Sequence, residues 1–478
     1  MTEATLYSSP LTSRYASPEM SHIFSATFKH LTWRRLWVAL AKAQRSLGLP
    51  ITEAQIKELE THLSTLDFAK IAEYEKRFRH DVMAHIHAYG DLCPGARGII
   101  HLGATSSFVT DNTDLIQMRE ALVLLWAKCI HVLRSLTSFA EKHKGMATLS
   151  YTHYQSAQPT TVGKRACLWI QDLVLDVHDI EERVNHFHFL GAKGATGTQA
   201  SFLALFNGDA DKVKQLDQLV AKEAGFFHLF KVAAQTYPRK YDMRMFSVLS
   251  GLAASAHKFA TDIRLLSNLK ELEEPFGATQ IGSSAMPYKR NPVCCERICG
   301  LARFLISLAE NPAYTASTQW LERTLDDSSN RRLSIPEAFL CADAILNLLA
   351  HVTEGLVVHP KQIEKHLLEE LPFLATENIL MEAVKRGGDR QELHEKLRMH
   401  SFESARRMKE EAQGCDLLKR IERDSAFGLS NHELHEIASA SQLTGRAEAQ
   451  VEEYLREEVG PLLERTRSIQ IPLPAVEV

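Results

Sequence analysis

The sequence predicts an all-α protein of three helical domains, the middle one a bundle of unusually long helices. Three observations predict it. Apolar residues recur at alternating spacings of three and four over long stretches, no alternating polar and apolar pattern separates those stretches, and composition shifts twice along the 478 residues. The shifts divide the chain into residues 1–105, with shorter helical patterns, 106–358, the long-helix region, and 359–478, where charge rises and helices shorten, as in KEEAQGCDLLKRIERD.

Within the central region the clearest seam is Leu115, Met118, Leu122, Leu125, Cys129, Val132, Leu136 and Phe139. It predicts a helix of about 45 Å, capped by Asp111 or Asn112 and closed near Gly145. A second seam runs through Ala166, Trp169, Leu173, Val177, Ile180, Val184 and Phe187, and a third through Phe246, Leu249, Ala253, Ala256, Phe259, Ile263 and Leu266. A fourth helix is expected from about Val293 to Glu310 and a fifth from about Pro336 to Val358. Val123, Leu124 and Trp126 flank the first seam, more apolar width than one neighbouring helix covers, so the bundle is expected to continue into an oligomer.

With 45% hydrophobic and 24% charged residues the chain is an ordinary globular protein, and a net charge of −4 gives no broad basic footprint for nucleic acid or an anionic membrane. The N-terminal stretch has no apolar core of signal-peptide length, and no segment is expected to be apolar for the length of a membrane span. The eight cysteines are scattered without a CxxC pair, the usage of a reduced, cytoplasmic protein.

Four polar, punctuated stretches do not read as core: RHDVMAH at 79–85, GATSSFVTDN at 103–112, YTHYQSAQPTT at 151–161 and GSSAMPYKRNP at 282–292. In the last, Gly277, Gly282, Pro287 and Pro292 forbid a continuous helix, so residues from about Glu273 to Asn291 form a loop, and Pro292 suits the first turn of the helix that follows. Ser283 and Ser284 sit in no GxSxG elbow. Loop serines are ordinarily turn formers, but one beside Lys289 in a closing, water-excluding loop could serve as a base. The spacing of His80, His85 and His87 completes no recognised zinc pattern, and GAKGATGTQ at 191–199 lacks P-loop and GxGxxG spacing, so it reads as a tight loop lining the cleft.

GSSAMPYKRNP resembles the signature loop of the fumarase/aspartase superfamily. TSSFVTDN and YTHYQSAQPTT fall where that family has its other dispersed motifs, and the Tyr-Lys-Arg-Asn form at 288–291 resembles the family's nucleotide-cleaving branch. The resemblance covers nearly the whole chain. It implies a homotetramer whose bundles merge into a shared multi-helix core, each active site built from three subunits, with no metal and no cofactor. The implied reaction is β-elimination of fumarate: a proton leaves the carbon beside a carboxylate, the C–N bond breaks and the leaving nitrogen is protonated.

The same resemblance implies the roles. Ser283 takes the proton, Lys289 offsets the developing charge, and Ser284 and Asn291 bind the succinyl carboxylates. His153 is the general acid, with Thr152 beside it on a carboxylate, and His80 supports that acid or orients the substrate together with Arg79 and Asp81. Thr105 and Ser106 match carboxylate-binding positions, with helix capping as their other reading, and Gln235 matches a substrate amide contact. Arg14, Tyr15, Arg297, Arg323, Ser328 and Arg332 match positions that hold a nucleotide phosphate and base, arginine's fork suiting phosphate; their other reading is surface pairing with Asp326 and Asp327. Val293, Cys294 and Cys295 replace a commoner Met-Arg-Ser after the signature, removing a cation near the loop. The rival readings are another superfamily lyase, such as one cleaving argininosuccinate, which would not need the phosphate site, and a crystallin-like scaffold, which would not need Ser283, His153 and Lys289.

Overall fold

The computed structural model describes residues 6–471, apart from the side chains of residues 441 and 442; the outer ends of the first and third predicted domains lie outside the described residues. The chain is all-α, with five long helices at its centre: Ser106–Lys142, Val162–Asn185, Lys240–Asn268, Val293–Leu308 and Asp326–Glu354. Every residue of the first predicted seam is at most 8% exposed, and fully burying one such side chain contributes about 1.5–3 kcal/mol. Leu168 and Leu175, seven residues apart on the second bundle helix, stay 52% and 60% exposed, and Val123 on the first stays 41% exposed.

Two helix starts differ from the sequence reading. The first bundle helix spans 37 residues, about 55 Å, and begins at Ser106 rather than at Asp111 or Asn112. Those two residues do not cap because their polar atoms have partners across the bundle. Asp111 meets Arg239 at 2.6 Å, while the Asn112 carbonyl accepts from the N–H groups of Leu190 and Gly191 at 3.0 and 3.1 Å. The fifth helix begins at Asp326, so Pro336 lies inside it. A proline there removes one backbone bond, and buried ion pairs of Asp327 and Arg331 hold the preceding turn to its neighbours.

Two bundle helices, Ser106–Lys142 and Asp326–Glu354, are by length and composition apolar enough to cross a membrane, contrary to the expectation that no segment would be. Both are core helices, 56% and 83% buried over their most apolar windows. A helix covered on most sides is apolar nearly all round, and these two carry buried charges matched to each other. Lys128 of the first is 1% exposed and pairs with Asp343 of the fifth, also donating to Asn347 Oδ1 at 2.6 Å and Ser17 Oγ at 3.2 Å. The Ser17 N–H donates to Asp343 Oδ2 at 2.6 Å, so this pair also fixes the segment that follows Tyr15.

Short strands escaped the sequence reading. β1 (Ala147–Thr152) and β2 (Gln155–Thr161) form an antiparallel hairpin, β3 (His188–Phe189) and β4 (His228–Leu229) a parallel pair, and β5 (Leu272–Glu273) and β6 (Val357–Val358) an antiparallel pair. The hairpin is rich in Thr, Ser and Gln rather than apolar residues, so its alternation is faint. Residues Ala375 to Ala438 enclose a second, smaller core, after which Val451, Val459 and Leu462 return the chain to the main one.

Removing the Asp343 carboxylate leaves the Lys128 ammonium buried without its anion. Asp343→Ala is expected to cost about 3–5 kcal/mol, read as a lower thermal midpoint, and the paired change Lys128→Met with Asp343→Leu to recover most of it.

Candidate active site

A cavity of about 940 Å³ opens where the first and fifth bundle helices begin. Among the sequence-predicted residues, Arg79, His80, Asp81, Thr105, Ser106, Gln235, Arg323, Ser328 and Arg332 line it. Arg79 ends the helix Phe68–Phe78 with φ of 52°, left-handed for a residue with a Cβ, and its N–H donates to Glu75 O at 2.7 Å. A non-glycine residue there is strained, and the turn delivers three consecutive polar side chains to the cavity.

His80 caps the next helix, Asp81–Leu92, its Nδ1 accepting from the Met83 N–H at 3.4 Å. In the neutral ring that acceptor role places the proton on Nε2, which lies 3.4 Å from Ser106 Oγ. Arg332 Nη2 reaches Asp81 Oδ2 at 3.3 Å. Thr105 occupies the N-cap of the first bundle helix, but its side chain makes no capping bond. The Phe108 N–H bonds back to Thr105 O at 2.8 Å, so the helix start that lies beside the cavity offers the N–H groups of Ser106 and Ser107 to an anion.

Gln235 Nε2 donates to Ala195 O at 3.0 Å, and its carbonyl accepts from Ser107 Oγ at 3.4 Å. The glycine-rich loop at 191–199 thus reaches the cavity through Gln235 rather than lining it. Its Gly197 has φ of 81°, and a Cβ there would lie 1.9 Å from Ala233 O.

Below these groups is a charged floor that sequence reasoning missed: Asp111, Asp114, Arg239 and Arg331 also line the cavity. Arg239 pairs with Asp111 and Asp327 at 2.6 Å each, and Arg331 with Asp242 at 2.7 Å and Asp114 at 3.0 Å. Tyr237 donates to Asp242 at 2.6 Å. Burial pushes the Asp114 carboxyl above its usual range, with Arg331 opposing. Arg323 pairs with Asp327 at 3.1 Å, so it both has a carboxylate partner and faces the cavity. The signal for the floor was present: Asp111, Asp114 and Arg331 are charged residues on helices otherwise apolar on most faces.

The remaining candidates stand elsewhere. The pairing of Thr152 with Gln155 leaves His153 and Tyr154 as a two-residue hairpin loop. Both have positive φ, 54° and 56°, the signature of a type I′ turn that normally selects Asn-Gly. Thr152 and His153 are exposed at this tip. Ser283, Ser284, Lys289 and Asn291 lie on the irregular stretch between β5 and the fourth bundle helix, where Ser283 Oγ accepts from the Met286 N–H at 3.1 Å and the Asn291 amide donates to Gly282 O at 2.8 Å. Pro292 occupies the N-cap of that helix rather than its first turn. Arg14 is exposed beside Tyr15, whose ring lies 5.3 Å from the Arg297 guanidinium. None of these residues lines the cavity.

A bundle of long helices with a polar cavity at the helix starts and an irregular signature loop places the chain among the helical lyases, and the family model described as Lyase matches residues 15–305. The crystal structures of a 3-carboxy-cis,cis-muconate lactonizing enzyme from Pseudomonas putida (TM-score 0.80, 24% identity, covering 93% of this chain and 98% of that one) and of a fumarate lyase from Mesorhizobium sp. BNC1 (0.79, 23%, covering 95% and 100%) share the fold. A second model, described as Adenylosuccinate lyase C-terminus, matches residues 372–454. The adenylosuccinate lyases of Schizosaccharomyces pombe and Saccharomyces cerevisiae are 52% and 50% identical, over 97% of both chains and 96% of both chains respectively. The chain belongs to the adenylosuccinate lyase family.

Behind the His80 helix, the rings of His30 and His85 lie 4.0 Å apart. Burial holds His30 down to about 4 and His85 to about 3, with Lys29 and Arg34 adding to the depression and Asp81 opposing it at His30. Unfolded, both titrate near 6.5. Below that value the unfolded chain takes up protons that the folded one refuses, so stability is lost as pH falls from 6.5 toward 3. The thermal midpoint is expected to fall between pH 7 and pH 5, and more shallowly in His85→Leu; equal slopes would contradict the assignment.

Proposed function

We propose that the chain cleaves adenylosuccinate to AMP and fumarate by β-elimination, and likewise releases fumarate from succinylaminoimidazole-carboxamide ribonucleotide. One observation carries this reading: the cavity gathers arginines, hydroxyls and a helix start suited to an anionic substrate, whereas the groups suited to move its protons stand on separate exposed projections. Ser283 abstracts the proton from the carbon beside the carboxylate. The Met286 N–H already aimed at its oxygen, together with Lys289, favours the alkoxide. His153 protonates the leaving nitrogen, and His80 orients the substrate through its contact with Ser106. Arg79, Asp81, Thr105, Ser106, Thr152, Gln235, Ser284 and Asn291 hold the succinyl group and its surroundings. Arg14, Tyr15, Arg297, Arg323, Ser328 and Arg332 hold the nucleotide.

A site divided in this way is completed by other copies of the chain. The reading is therefore of a homotetramer with each active site drawn from three subunits, supported by the exposed Leu168 and Leu175 on a bundle helix. The division into residues 1–105, 106–358 and 359–478 fits it, since the first bundle helix starts at Ser106 and the fifth ends at Glu354, just ahead of Pro360. The enzyme is read as cytoplasmic.

Fumarate release measured separately with adenylosuccinate and argininosuccinate tests the substrate. Release from adenylosuccinate is expected, falling by about 10³-fold in Ser283→Ala with substrate binding retained. Release from argininosuccinate alone, or a fully active Ser283→Ala, would overturn the reading.

A further inference from the structure

The loop that carries Ser283 needs a fixed base, and the structure contains a device for it. Glu274 follows β5 and is 5% exposed. Its two carboxylate oxygens accept, one each at 2.9 Å, the backbone N–H groups of Cys294 and Cys295. These are first-turn donors of the fourth bundle helix, Val293–Leu308, whose N-cap residue Pro292 makes no side-chain cap bond. A helix start leaves its first four N–H groups without intrahelical partners. Here a residue from the far side of an eighteen-residue loop supplies the acceptor, and the negative charge lies where the helix dipole stabilises it.

The same carboxylate tolerates the departure seen in the sequence. The cap contacts backbone atoms, so it does not require the side chains that usually follow Pro292. Cys294 and Cys295 are 1% and 0% exposed, turned into the core beneath the cap. Burial, with Glu274 close by, pushes the Cys294 thiol up to about 12 and the Cys295 thiol higher still, so both stay protonated.

Inside this outer tie is an inner one. Asn291 donates to Gly282 O at 2.8 Å, and the chain closes so tightly that a Cβ on Gly282 would lie 2.1 Å from Lys289 O. Ser283 to Lys289 therefore forms a tip closed by the inner tie, while the outer tie joins the two ends of the loop to each other. Glu273, one residue earlier, is partly exposed, and its carboxylate meets the loop's Arg290 at 3.9 Å and His359 at 3.4 Å.

We propose that Glu274 is a positioning residue for the elimination: by capping the fourth bundle helix from across the loop it sets where Ser283 and Lys289 stand. The inference rests on the reading of Ser283 as the base. A misplacement of about 1 Å costs on the order of 10²-fold in rate, so that is the scale expected when the tie is cut.

The test uses the full-length enzyme with adenylosuccinate, comparing Glu274→Ala, Glu274→Gln and Glu273→Gln. Glu274→Ala should lower kcat by about 10²-fold with a much smaller rise in KM, because Ser284 and Asn291 share the loop with Ser283 while the residues that line the cavity are untouched. Glu274→Gln keeps the shape and one acceptor and should fall between it and the parent; Glu273→Gln should stay near the parent. Limited trypsin digestion supplies a readout independent of turnover: cleavage after Lys289 or Arg290 should be faster in Glu274→Ala than in the parent. Unchanged kcat in both Glu274 variants, or a loss confined to KM, would overturn the proposal. If Glu274→Ala does not fold, a fully active Glu274→Gln with parental cleavage would overturn it equally. Faster cleavage together with a fully active Ser283→Ala would leave the tether standing and remove the catalytic reading instead.

Discussion

One buried guanidinium organises the end of the bundle where the cavity opens. Arg239 precedes the third bundle helix and reaches Asp111 on the first and Asp327 on the fifth. It is 3% exposed, and truncating one partner of such a pair strands an uncompensated charge. The triad thus ties the starts of the three helices to one another. Thr105 and Ser106, Gln235, and Arg323, Ser328 and Arg332 all lie within a few residues of those starts. The spacing of these cavity residues follows from the ion pairs beneath, and Arg331 with Asp242 and Asp114 repeats the device one turn along.

The bundle gives rigidity at the cavity, where binding is proposed, while the groups assigned to proton transfer lie on projections from it. The hairpin holds His153 in a two-residue turn with both residues in the left-handed region, a conformation that His-Tyr does not select as Asn-Gly would and that the β1–β2 register enforces. The loop between β5 and the fourth bundle helix closes on itself through Gly282 and Asn291. Both projections are exposed in the single chain, and so are apolar side chains on the loop such as Ile281 and Tyr288, at 82% and 83%. An exposed apolar tip of this kind marks a surface that a partner can cover.

The fold was legible because long helices carry their own signal: the seam from Leu115 to Phe139 repeats often enough that its burial followed. Boundaries were less legible. Asp111 and Asn112 have the residue types of a cap, and Pro336 the type of a helix start, yet distant partners outside the local window decided each case. The hairpin was hidden by polar composition. Of the cavity residues, those grouped in sequence, such as Arg79 to Asp81, were readable together; Ser283 and His153 came from the resemblance and stand outside the cavity. The floor of Asp114, Arg239 and Arg331 left only a faint signal, charges on otherwise apolar helices, because their mutual neutralisation is a property of three helices meeting. Glu274 escaped for the same reason, its partners being backbone atoms twenty residues away.

The central claim is that no single chain holds a complete active site. Ser283→Ala and His153→Ala proteins, each inactive alone, can be mixed, subunit exchange verified, and fumarate release from adenylosuccinate measured. The account predicts that activity returns in the mixture, since some sites then combine an intact loop from one chain with an intact hairpin from another. Complete exchange without any return of activity would contradict it.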